Sequence, residues 1–473
     1  MLSLCSLCSV ALAQENKEET SFRLLPKDVY FQPGGGLRVR YESLNGATGR
    51  AFPDEERESQ ATHRALFDVK LYKGEYFETF FRFLNFSDWG SAVGDTSGGQ
   101  HDGFARRNGL LVNQAYALWK VGSSMGIRFG RVPLHLGLGN TYGHNDWFNV
   151  PYSFDLFEFA WDWDSVELSL IAAKVQELSR VVGQAESPDP EENNIIINLD
   201  IKNLIDSLNV FNFNFVQVNR DLGSADGGTT VQNGLNSQRF SLDAEIKGKQ
   251  FFATLFLSFV TGQENVAAVN QTNNIGEFNL SQSAGDLKVG YQFPESNQLR
   301  LWAGYHRDTG DRVAGDDKSQ SYDSFFYEVY GQSGYMDFIR WGNLSFYHIG
   351  FDMEIPIGVE SFPFRIEELK LGTEWWSFTR TETADTVRFG DAGRFLNTRI
   401  QNGSLNLGDS KDLGSELDIW FEMPYSSGVN LRTTLSGFFP GAAFNDSTDT
   451  SNGDPLSAGS SIFQFLTQVE FYF

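Results

Sequence analysis

The sequence has few cysteines, few basic residues and no long apolar run, and each shortage excludes a class of protein. Only two of its 473 residues are cysteines, Cys5 and Cys8, so a disulfide framework and thiol chemistry are excluded for the rest of the chain. Lysine and arginine number 37 against 61 acidic residues, a net charge of −24, which excludes nucleic acid as a partner because phosphate binding needs basic side chains. The longest apolar run beyond the N-terminus, Phe251 to Val260, is about half the roughly 20 residues of a membrane-spanning helix. Helical membrane spans are therefore not expected.

The N-terminus has the pattern of an export signal. Met1 to Ala13 reads MLSLCSLCSVALA, an apolar stretch that ends in small residues and is followed by the polar QENKEE. We predict that residues 1–13 are a signal peptide that is removed on secretion. A buried first helix is the alternative. Both cysteines lie in this segment, so the mature chain would have none.

Aromatic residues and glycine are abundant, and the aromatics alternate with polar residues. The chain has 43 phenylalanines and 47 glycines. In the last segment, SIFQFLTQVEFYF, Phe463, Phe465 and Phe471 fall on one face of an extended chain, and Gln464 and Gln468 fall on the other. This alternation is typical of a strand with one apolar and one polar face.

The same alternation recurs along the chain and predicts about 18 strands, many near the length of a tilted membrane-spanning strand. Short links alternate strictly with long ones such as 45–63, 132–154, 261–283 and 307–343. An even number of strands with this arrangement of links predicts an all-β fold: a transmembrane antiparallel β-barrel with short periplasmic turns and long extracellular loops. A large soluble sandwich or propeller is the alternative, but no repeat of blade length is visible.

The barrel sets the expected domain organisation and location. We expect residues 14–36 to form a periplasmic N-terminal segment, with Gly34 to Gly36 as a tight entry turn, and residues 37–473 to form the barrel. Such a barrel lies in the outer membrane of a Gram-negative bacterium, in contact with lipid and lipopolysaccharide. The C-terminal strand ending in Phe473 would be recognised by the barrel-assembly machinery. No pattern in the strands marks a protein interface, so a monomer is expected.

No residue pattern indicates catalysis, a metal site or a cofactor. The six histidines are scattered without metal-ligand spacing. The nearest group to a catalytic one is His144, Asn145 and Asp146, which are adjacent in the sequence rather than gathered from several strands. We therefore expect no enzyme activity, with a barrel hydrolase as the alternative of another class.

If the apolar side chains at alternate positions of each strand face lipid, the polar side chains at the positions between them line the lumen. The residues at these lumen-facing positions carry charges of both signs, which have two interpretations. They could form cross-strand ion pairs that stabilise the wall, or rings of charge that select solutes. The candidate lining residues at these positions are Arg82, Arg300, Arg432, Glu374, Glu416 and Asp418.

The link from Val132 to Phe154 differs from the other long links. It is rich in glycine, asparagine and aromatic residues and has one carboxylate, Asp146, whereas most other long loops are acidic. Aromatic faces and amides suit packing in a pore that passes sugars. We interpret this link as a folded constriction loop; an external cap is the alternative.

Two segments resemble the alginate-export family of outer-membrane barrels. They are NQAYALWKVGSSMGIRFGRVPLHLGLGNTYGHNDWFN, from Asn113 to Asn149, and LGSELDIWFEMPYSSGVNLRTTLSGFFPGAAF, from Leu413 to Phe444. The resemblance implies a monomeric barrel that passes anionic polysaccharide or small solutes through an arginine-lined pore. By position it implies that Arg128 and Arg131 line the pore, with Asp146 and Trp147 in the adjoining loop.

One feature departs from that family pattern. The predicted lumen carries about as many carboxylates as basic groups, which would repel a polyuronate, so alginate itself is not the expected substrate. The expected function is a channel for passive diffusion of small hydrophilic solutes or saccharides. A non-conducting adhesive or structural barrel is the alternative. About −17 of the −24 charge lies in the long loops, which predicts an anionic crown able to bind divalent cations.

Overall fold

The protein is a closed β-barrel in its computed structural model. The structure describes residues 28–45, 57–89, 109–175, 192–202, 208–220, 234–267, 275–293, 298–313, 316–324, 326–361, 364–385, 387–389, 405–425, 428–445, 448–449 and 461–473. Within these ranges one sheet contains nineteen strands. One of them, Lys318–Ser319, has two residues and pairs in parallel with the wall. The other 18 form the barrel, which confirms the predicted fold.

The barrel strands are numbered β1 to β18 in chain order, and each pairs antiparallel with its neighbours along the chain. They are β1 Val29–Asn45, β2 Arg57–Lys73, β3 Phe77–Trp89, β4 Gly109–Val121, β5 Met125–Val132, β6 Phe154–Trp163, β7 Val166–Val175, β8 Glu192–Ile201, β9 Leu208–Arg220, β10 Gly234–Lys247, β11 Phe251–Ala267, β12 Ile275–Phe293, β13 Leu299–Asp308, β14 Leu344–Ser361, β15 Phe364–Arg380, β16 Asp412–Tyr425, β17 Val429–Pro440 and β18 Ile462–Tyr472.

A few short elements lie outside the wall. Ile339–Arg340 pairs with Arg388–Phe389, and Leu405–Asn406 pairs with Thr448–Asp449. A single-turn helix, α1, covers Ala442–Asn445. In the ranges given above, no helix is long and apolar enough to cross a membrane.

The alternation in the sequence corresponds to the two faces of the wall. On β18, Phe463 is 51% exposed and Phe465 is 37% exposed on the outer face, whereas Gln464, Leu466 and Gln468 are buried on the inner face. Side chains on a strand point alternately to the two faces, so this pattern places aromatic rings outside and amides inside. The predicted parity of the C-terminal strand is confirmed.

The barrel closes between its first and last strands. β1 pairs with β18 from Gly36↔Tyr472 to Asn45↔Phe463, and Gly35 and Phe473 exchange two backbone hydrogen bonds of 3.0 and 3.1 Å. A Cβ on Gly35 would lie 2.5 Å from the Leu66 carbonyl oxygen, so only glycine fits at this seam. The predicted entry turn at residues 34–36 is therefore wrong. These glycines lie inside β1, which begins at Val29 rather than at the predicted residue 37.

Two strands run beyond their predicted ends. β11 continues to Ala267 and β12 begins at Ile275, within the link predicted at 261–283. The ladder there pairs Thr261 with Ser281 and continues to Ala267↔Ile275. Backbone hydrogen bonds alone can hold two strands together, and they do not require an apolar face. The strands therefore extend beyond the residues in which apolar and polar side chains alternate. Residues 1–27, which contain the predicted signal peptide, lie outside the described residues, as does most of the predicted anionic crown.

Candidate constriction site

The link between β5 and β6, residues 133–153, lies inside the barrel. We call it loop A. Its Leu134, Leu136 and Tyr142 are buried in a cluster with inward side chains of the wall, including Ile196 on β8 and Val216 on β9. The predicted inward loop is confirmed, and the external-cap alternative is wrong. Aromatic and apolar side chains bury their faces against the wall, which offsets the cost of enclosing a loop backbone.

Three arginines of the seam wall hold the far end of loop A. Arg38 donates to the Asp146 and Phe148 carbonyls at 2.7 and 2.9 Å. Arg40 donates to the Trp147 carbonyl at 2.7 Å. Arg64 donates to the Asp146 and Phe148 carbonyls at 2.9 and 3.0 Å and pairs with the Asp146 carboxylate at 3.0 Å. Carbonyls of a buried loop need donors, and the guanidinium groups supply them.

These cations also set the ionisation of Asp146. Burial alone would raise the pKa of this carboxyl, but Arg64 and Arg38 outweigh burial and lower its pKa below the ordinary value. Asp146 therefore stays ionised in the loop. Its partner is Arg64, and no hydrogen bond among the described residues joins it to His144. The predicted His144, Asn145 and Asp146 group thus lacks the contacts of a catalytic triad.

The near end of loop A rests on a carboxylate of the opposite wall. Asn140 donates to Asp243 on β10 at 2.7 Å, and Asn194 on β8 donates to the Tyr142 hydroxyl at 2.8 Å. Gly137 has a φ of +57° and faces Asp243 so closely that a Cβ would overlap the carboxylate. Loop A is therefore attached at both ends and crosses the lumen between β1 and β10.

A second link, residues 309–343 between β13 and β14, also folds into the barrel. We call it loop B. Its Tyr322, Tyr327, Phe338 and Trp341 are all buried in the largest internal cluster. We counted this link among the long extracellular loops and did not predict that it folds inward. It contains eight aromatic residues between positions 321 and 341, the same signal that identified loop A, so composition could have revealed it.

Wall carboxylates hold loop B. Glu416 accepts the Met336 N–H at 3.0 Å, and Asp418 accepts the Tyr335 N–H at 3.3 Å. At the return of the loop, Asp308 accepts the Gly342 N–H at 2.7 Å. Backbone N–H groups without a partner inside a barrel are costly, and these acceptors remove that cost.

The two loops contact each other in the middle of the lumen. Asn145 of loop A donates from its side chain to the Tyr327 carbonyl at 2.5 Å and accepts the Val329 N–H at 2.9 Å. Its own N–H donates to the Glu328 carboxylate at 2.7 Å. The Trp147 indole stacks on Tyr330 with ring centroids 3.5 Å apart. Loops A and B therefore form one constriction across the barrel.

The predicted lining carboxylates do not face open lumen. Glu416 and Asp418 have no exposed surface and Glu374 is 2% exposed. Asp418 also accepts the Trp376 indole N–H at 2.9 Å, and Glu374 accepts the Trp302 indole N–H at 2.6 Å and contacts His348 Nδ1 at 2.6 Å. The prediction that these three side chains point inward is confirmed. Their prediction as pore-lining groups is wrong, because loop B and the wall indoles cover them.

Most predicted arginines do lie on the inner face, in ion pairs. Arg82 is bidentate to Asp68 at 2.8 and 2.7 Å. Arg128 pairs with Glu158 at 2.6 Å, and Arg300 pairs with Asp352 at 2.7 Å. These arginines bear out the ion-pair interpretation of the mixed charges. Arg432 differs, because its guanidinium lies over Tyr330, Tyr335 and Trp420.

Arg131 is not a lining residue. It shares its face of β5 with Phe129, which is 51% exposed, while Val132 beside it is buried. It pairs with Asp155 at 2.9 Å, and its register partners are Ala115 and Asp155. Three positions separate Arg131 from Arg128, so the two point to opposite faces. The family motif suggested both, and the strand geometry allows only one.

Arg64 is a functional residue that the sequence reasoning missed. It anchors loop A, and it is separated by six positions from Lys70 on β2, so the two side chains point to the same face of the wall. Alternation along β2 could have identified it. The same parity also places Asp68, the partner of Arg82, on the inner face.

Space remains on two sides of the constriction, towards the short-turn rim. One cavity of about 490 Å³ is lined by Asn140 and Gln332 of the two loops and by Lys288, Arg300 and His348 of the wall. A second, of about 680 Å³, lies near Gln32, Lys70, Tyr72 and Lys120. Within the described part of the chain, no cluster of three or more acidic, histidine or cysteine side chains could bind a metal ion.

Comparisons with known proteins agree with this architecture. The family model described as alginate export matches residues 30–455. No curated protein sequence matches the chain.

Similar solved structures come from Pseudomonas aeruginosa. OpdK with vanillate has a TM-score of 0.55 at 10% identity, covering 93% of this chain and 98% of its own. OccK2 (OpdF) in complex with glucuronate has a TM-score of 0.54 at 10% identity, covering 93% of this chain and 96% of its own. OccK8 (OprE) has a TM-score of 0.54 at 10% identity, covering 94% and 98%. At this identity the likeness shows the shared barrel fold.

Proposed function

Because this chain belongs to the alginate export family of outer-membrane barrels, we propose that it is a monomeric channel of the Gram-negative outer membrane through which small hydrophilic solutes diffuse passively. The observation that carries this proposal is the constriction made by loops A and B. The loops are joined by the Asn145 hydrogen bonds and the Trp147–Tyr330 stack, so they narrow the lumen as a unit. Threading of a long polysaccharide would require them to separate, which favours small solutes.

The charges near the constriction support carboxylates among those solutes. Arg38, Arg40 and Arg64 donate to the backbone carbonyls of loop A, and Arg64 also pairs with the Asp146 carboxylate. Three of the carboxylates expected to repel anions, Glu374, Glu416 and Asp418, are covered by loop B and the wall indoles. Cationic groups in a lumen wall raise the local concentration of anions. Two structures of the same fold were solved with vanillate and with glucuronate, both of which are carboxylates.

The direct test is reconstitution of the purified full-length protein in a planar lipid bilayer. We expect discrete current steps in KCl and a reversal potential under a KCl gradient that favours chloride. Liposome swelling should be faster with glucuronate than with a long oligouronate. Absence of current steps would refute the channel and favour the alternative that the joined loops plug a structural or adhesive barrel.

The outer face suggests how the barrel is held and assembled. Exposed rings such as Phe463 and Phe465 present apolar surface to lipid, and Phe473, at the end of the last strand, is 72% exposed. We propose that β18 is the segment recognised by the barrel-assembly machinery. Deletion of Phe473 should slow assembly into heat-modifiable folded protein, and an unchanged rate would argue against this role. Crosslinking in outer-membrane vesicles should yield a monomer.

A further inference from the structure

The cavity of about 490 Å³ beside the constriction contains charged side chains that are already paired. Arg300 on β13 is bidentate to Asp352 on β14. Lys247 and Glu245, at the end of β10, pair with each other at 2.9 Å. The two charges of each pair largely cancel, so these side chains give the cavity little net attraction for an ionic solute.

Four other side chains of the same cavity have polar groups that remain available. They are Lys288 and Gln292 on β12, Gln332 of loop B and His348 on β14, and we call them the polar cluster. Among the described residues, no hydrogen bond or ion pair reaches the lysine ammonium, the two side-chain amides or the histidine Nε2. Lys288 contacts only the face of the Trp302 ring, 4.6 Å from its centroid. The polar cluster therefore joins the wall to loop B without using its own hydrogen-bonding groups.

His348 is the most constrained member of the polar cluster. It is 4% exposed, and its ring stacks on Trp376 with centroids 4.4 Å apart. Its Nδ1 lies 2.6 Å from Glu374, which also accepts the Trp302 indole N–H. An indole N–H only donates, so this carboxylate oxygen is an acceptor, and we assign the imidazole hydrogen to Nδ1. The stack and the carboxylate together fix the direction of the remaining nitrogen, Nε2.

A glycine of β13 allows this position of the histidine ring. Gly304 is the register partner of His348, and a Cβ on Gly304 would overlap Nε2. On its other side Gly304 pairs with Lys288. Neighbouring strands lie about 4.8 Å apart, so the Cα atoms of Lys288 and His348 are separated by roughly 10 Å. The ammonium-bearing and imidazole side chains of the cluster therefore flank one glycine.

The available groups match hydroxyls. A hydroxyl both donates and accepts, so it can bond to Nε2 whether or not that nitrogen carries a hydrogen. Each side-chain amide offers an acceptor oxygen and N–H donors, which suits neighbouring hydroxyls on a ring, and an ammonium donates to hydroxyl oxygens. A buried polar atom without a partner is costly, and a hydroxyl bonded to Nε2 removes that cost.

We propose that this cavity is a binding subsite for a single sugar ring or a polyol of similar size, recognised through its hydroxyl groups by His348 and the rest of the polar cluster. Its volume lies within the range of about 300–1,000 Å³ that is typical of small-ligand pockets. The proposal rests on the proposed channel function and adds a class of solute. Because Gln332 belongs to loop B, a bound ring contacts both the wall and the constriction.

The test measures block of the KCl current by glucose in a planar bilayer. The comparison solute is the fully O-methylated methyl glucoside, which has the same ring without hydroxyls. His348→Phe keeps a ring on Trp376 but removes both nitrogens, and Gln292→Leu removes an amide at similar size. We expect the half-blocking concentration of glucose to rise about threefold to tenfold in each variant, the effect of one lost hydrogen bond. The methylated ring should block weakly and equally in all forms.

Matched controls make the same substitutions elsewhere. His63→Phe changes a histidine that contacts Asn85 and lies on the outer face of β2, four positions from the exposed Phe67. Gln32→Leu changes an amide beside the other cavity. Both controls should keep the glucose block of the original protein. Heat-modifiable migration in electrophoresis verifies that each variant is a folded barrel, and Gln292→Leu decides alone if His348→Phe does not fold.

The outcomes separate this subsite from the channel function. Current steps with a glucose block that is unchanged in both cluster variants would overturn the subsite while leaving the channel intact. Equally strong block by glucose and by the methylated ring in the original protein would also overturn it, because the hydroxyls would then not be recognised. A loss of block that is as large in the controls would show a general effect of the substitutions and would have the same consequence. Absence of current in every form would refute the channel itself.

Discussion

The indole of Trp147 stacks on the phenol ring of Tyr330 at 3.5 Å between centroids and 15° between planes, and this contact joins two loops that are far apart in the sequence. One loop follows β5 and the other follows β13. Loop A crosses the lumen from Arg40 on β1 to Asp243 on β10, and loop B adds an attachment to the wall at Asp418 on β16. The width of the passage therefore depends on contacts between loops as well as on the wall.

Replacing Trp147 with alanine should widen or destabilise the passage. The variant loses the stack on Tyr330 and the contact with Arg40, and aromatic pairs contribute about 1 kcal/mol beyond buried area. We expect a larger or noisier single-channel current in a planar bilayer. Trp163→Ala is the control, because Trp163 is 54% exposed on the wall. Equal currents in the original protein and Trp147→Ala would contradict a role of the stack in the constriction.

Removing the Asp418 carboxylate should release loop B. In Asp418→Ala the N–H groups of Tyr335 and Trp376 lose their acceptor inside the barrel, at a cost of about 1–3 kcal/mol for each group. We expect faster protease cleavage within residues 309–343 and a higher conductance, with the barrel still folded. Glu75→Gln, in an exposed turn, should change neither property. Unchanged cleavage would mean that Glu416 and Asp308 hold the loop without Asp418.

Alanine substitutions of Gly137 and Gly122 distinguish the effect of a steric clash from the effect of backbone strain. Both have positive φ, +57° and +69°, but a Cβ on Gly137 would overlap Asp243, whereas one on Gly122 meets nothing within 4 Å. Gly137→Ala should therefore displace loop A and alter the conductance, while Gly122→Ala should pay only the backbone cost of about 1 kcal/mol. We would measure thermal unfolding and single-channel currents for both variants, and the difference between them gives the effect of the clash with Asp243. Matching behaviour in both measurements would show that the contact with Asp243 is unimportant.

Much of the barrel follows from alternation, since a strand with lipid on one side and polar groups on the other must repeat every two residues. The same rule fails for loops, whose path depends on contacts with distant residues. Loop A was recognised by composition. Loop B was not, although the aromatic residues from Tyr322 to Trp341 carry the same signal. Alternation also gave the inward direction of Glu416, but not the loop that covers it.

The joined loops should respond to pH through Glu328. Burial raises the pKa of this carboxyl above 4.5, while its bond from the Asn145 N–H opposes the shift. A raised pKa means that the joined state binds the proton more tightly. The contribution of protonated Glu328 to the stability of the joined loops is fully present below pH 4.5, and it is lost as the pH rises through the raised pKa.

The measurement is the frequency of current fluctuations between about pH 4.5 and pH 7 in the original protein and in Glu328→Gln. We expect the original protein to gain fluctuations relative to the variant as the pH rises. Burial lowers the pKa of His135 and His144 in loop A, which gives an opposite trend, but that trend is present in both proteins and cancels in the comparison. Asp146, with its lowered pKa, stays ionised over this range. If the fluctuation frequency changes with pH in the same way in both proteins, protonation of Glu328 is not linked to the contact between the loops.

Arg128 and Arg131 should differ in their effect on ion selectivity, although one sequence motif contains both. Arg128→Gln leaves Glu158 unpaired on the inner face, whereas Arg131→Gln leaves Asp155 unpaired on the outer face. A carboxylate in a water-filled lumen attracts permeating cations, while one outside the wall is separated from the passage by the sheet. We expect the reversal potential under a KCl gradient to shift towards potassium in Arg128→Gln alone, with similar folded yields for both variants. Equal shifts in the two variants would place Arg131 in the pore and contradict the register of β5.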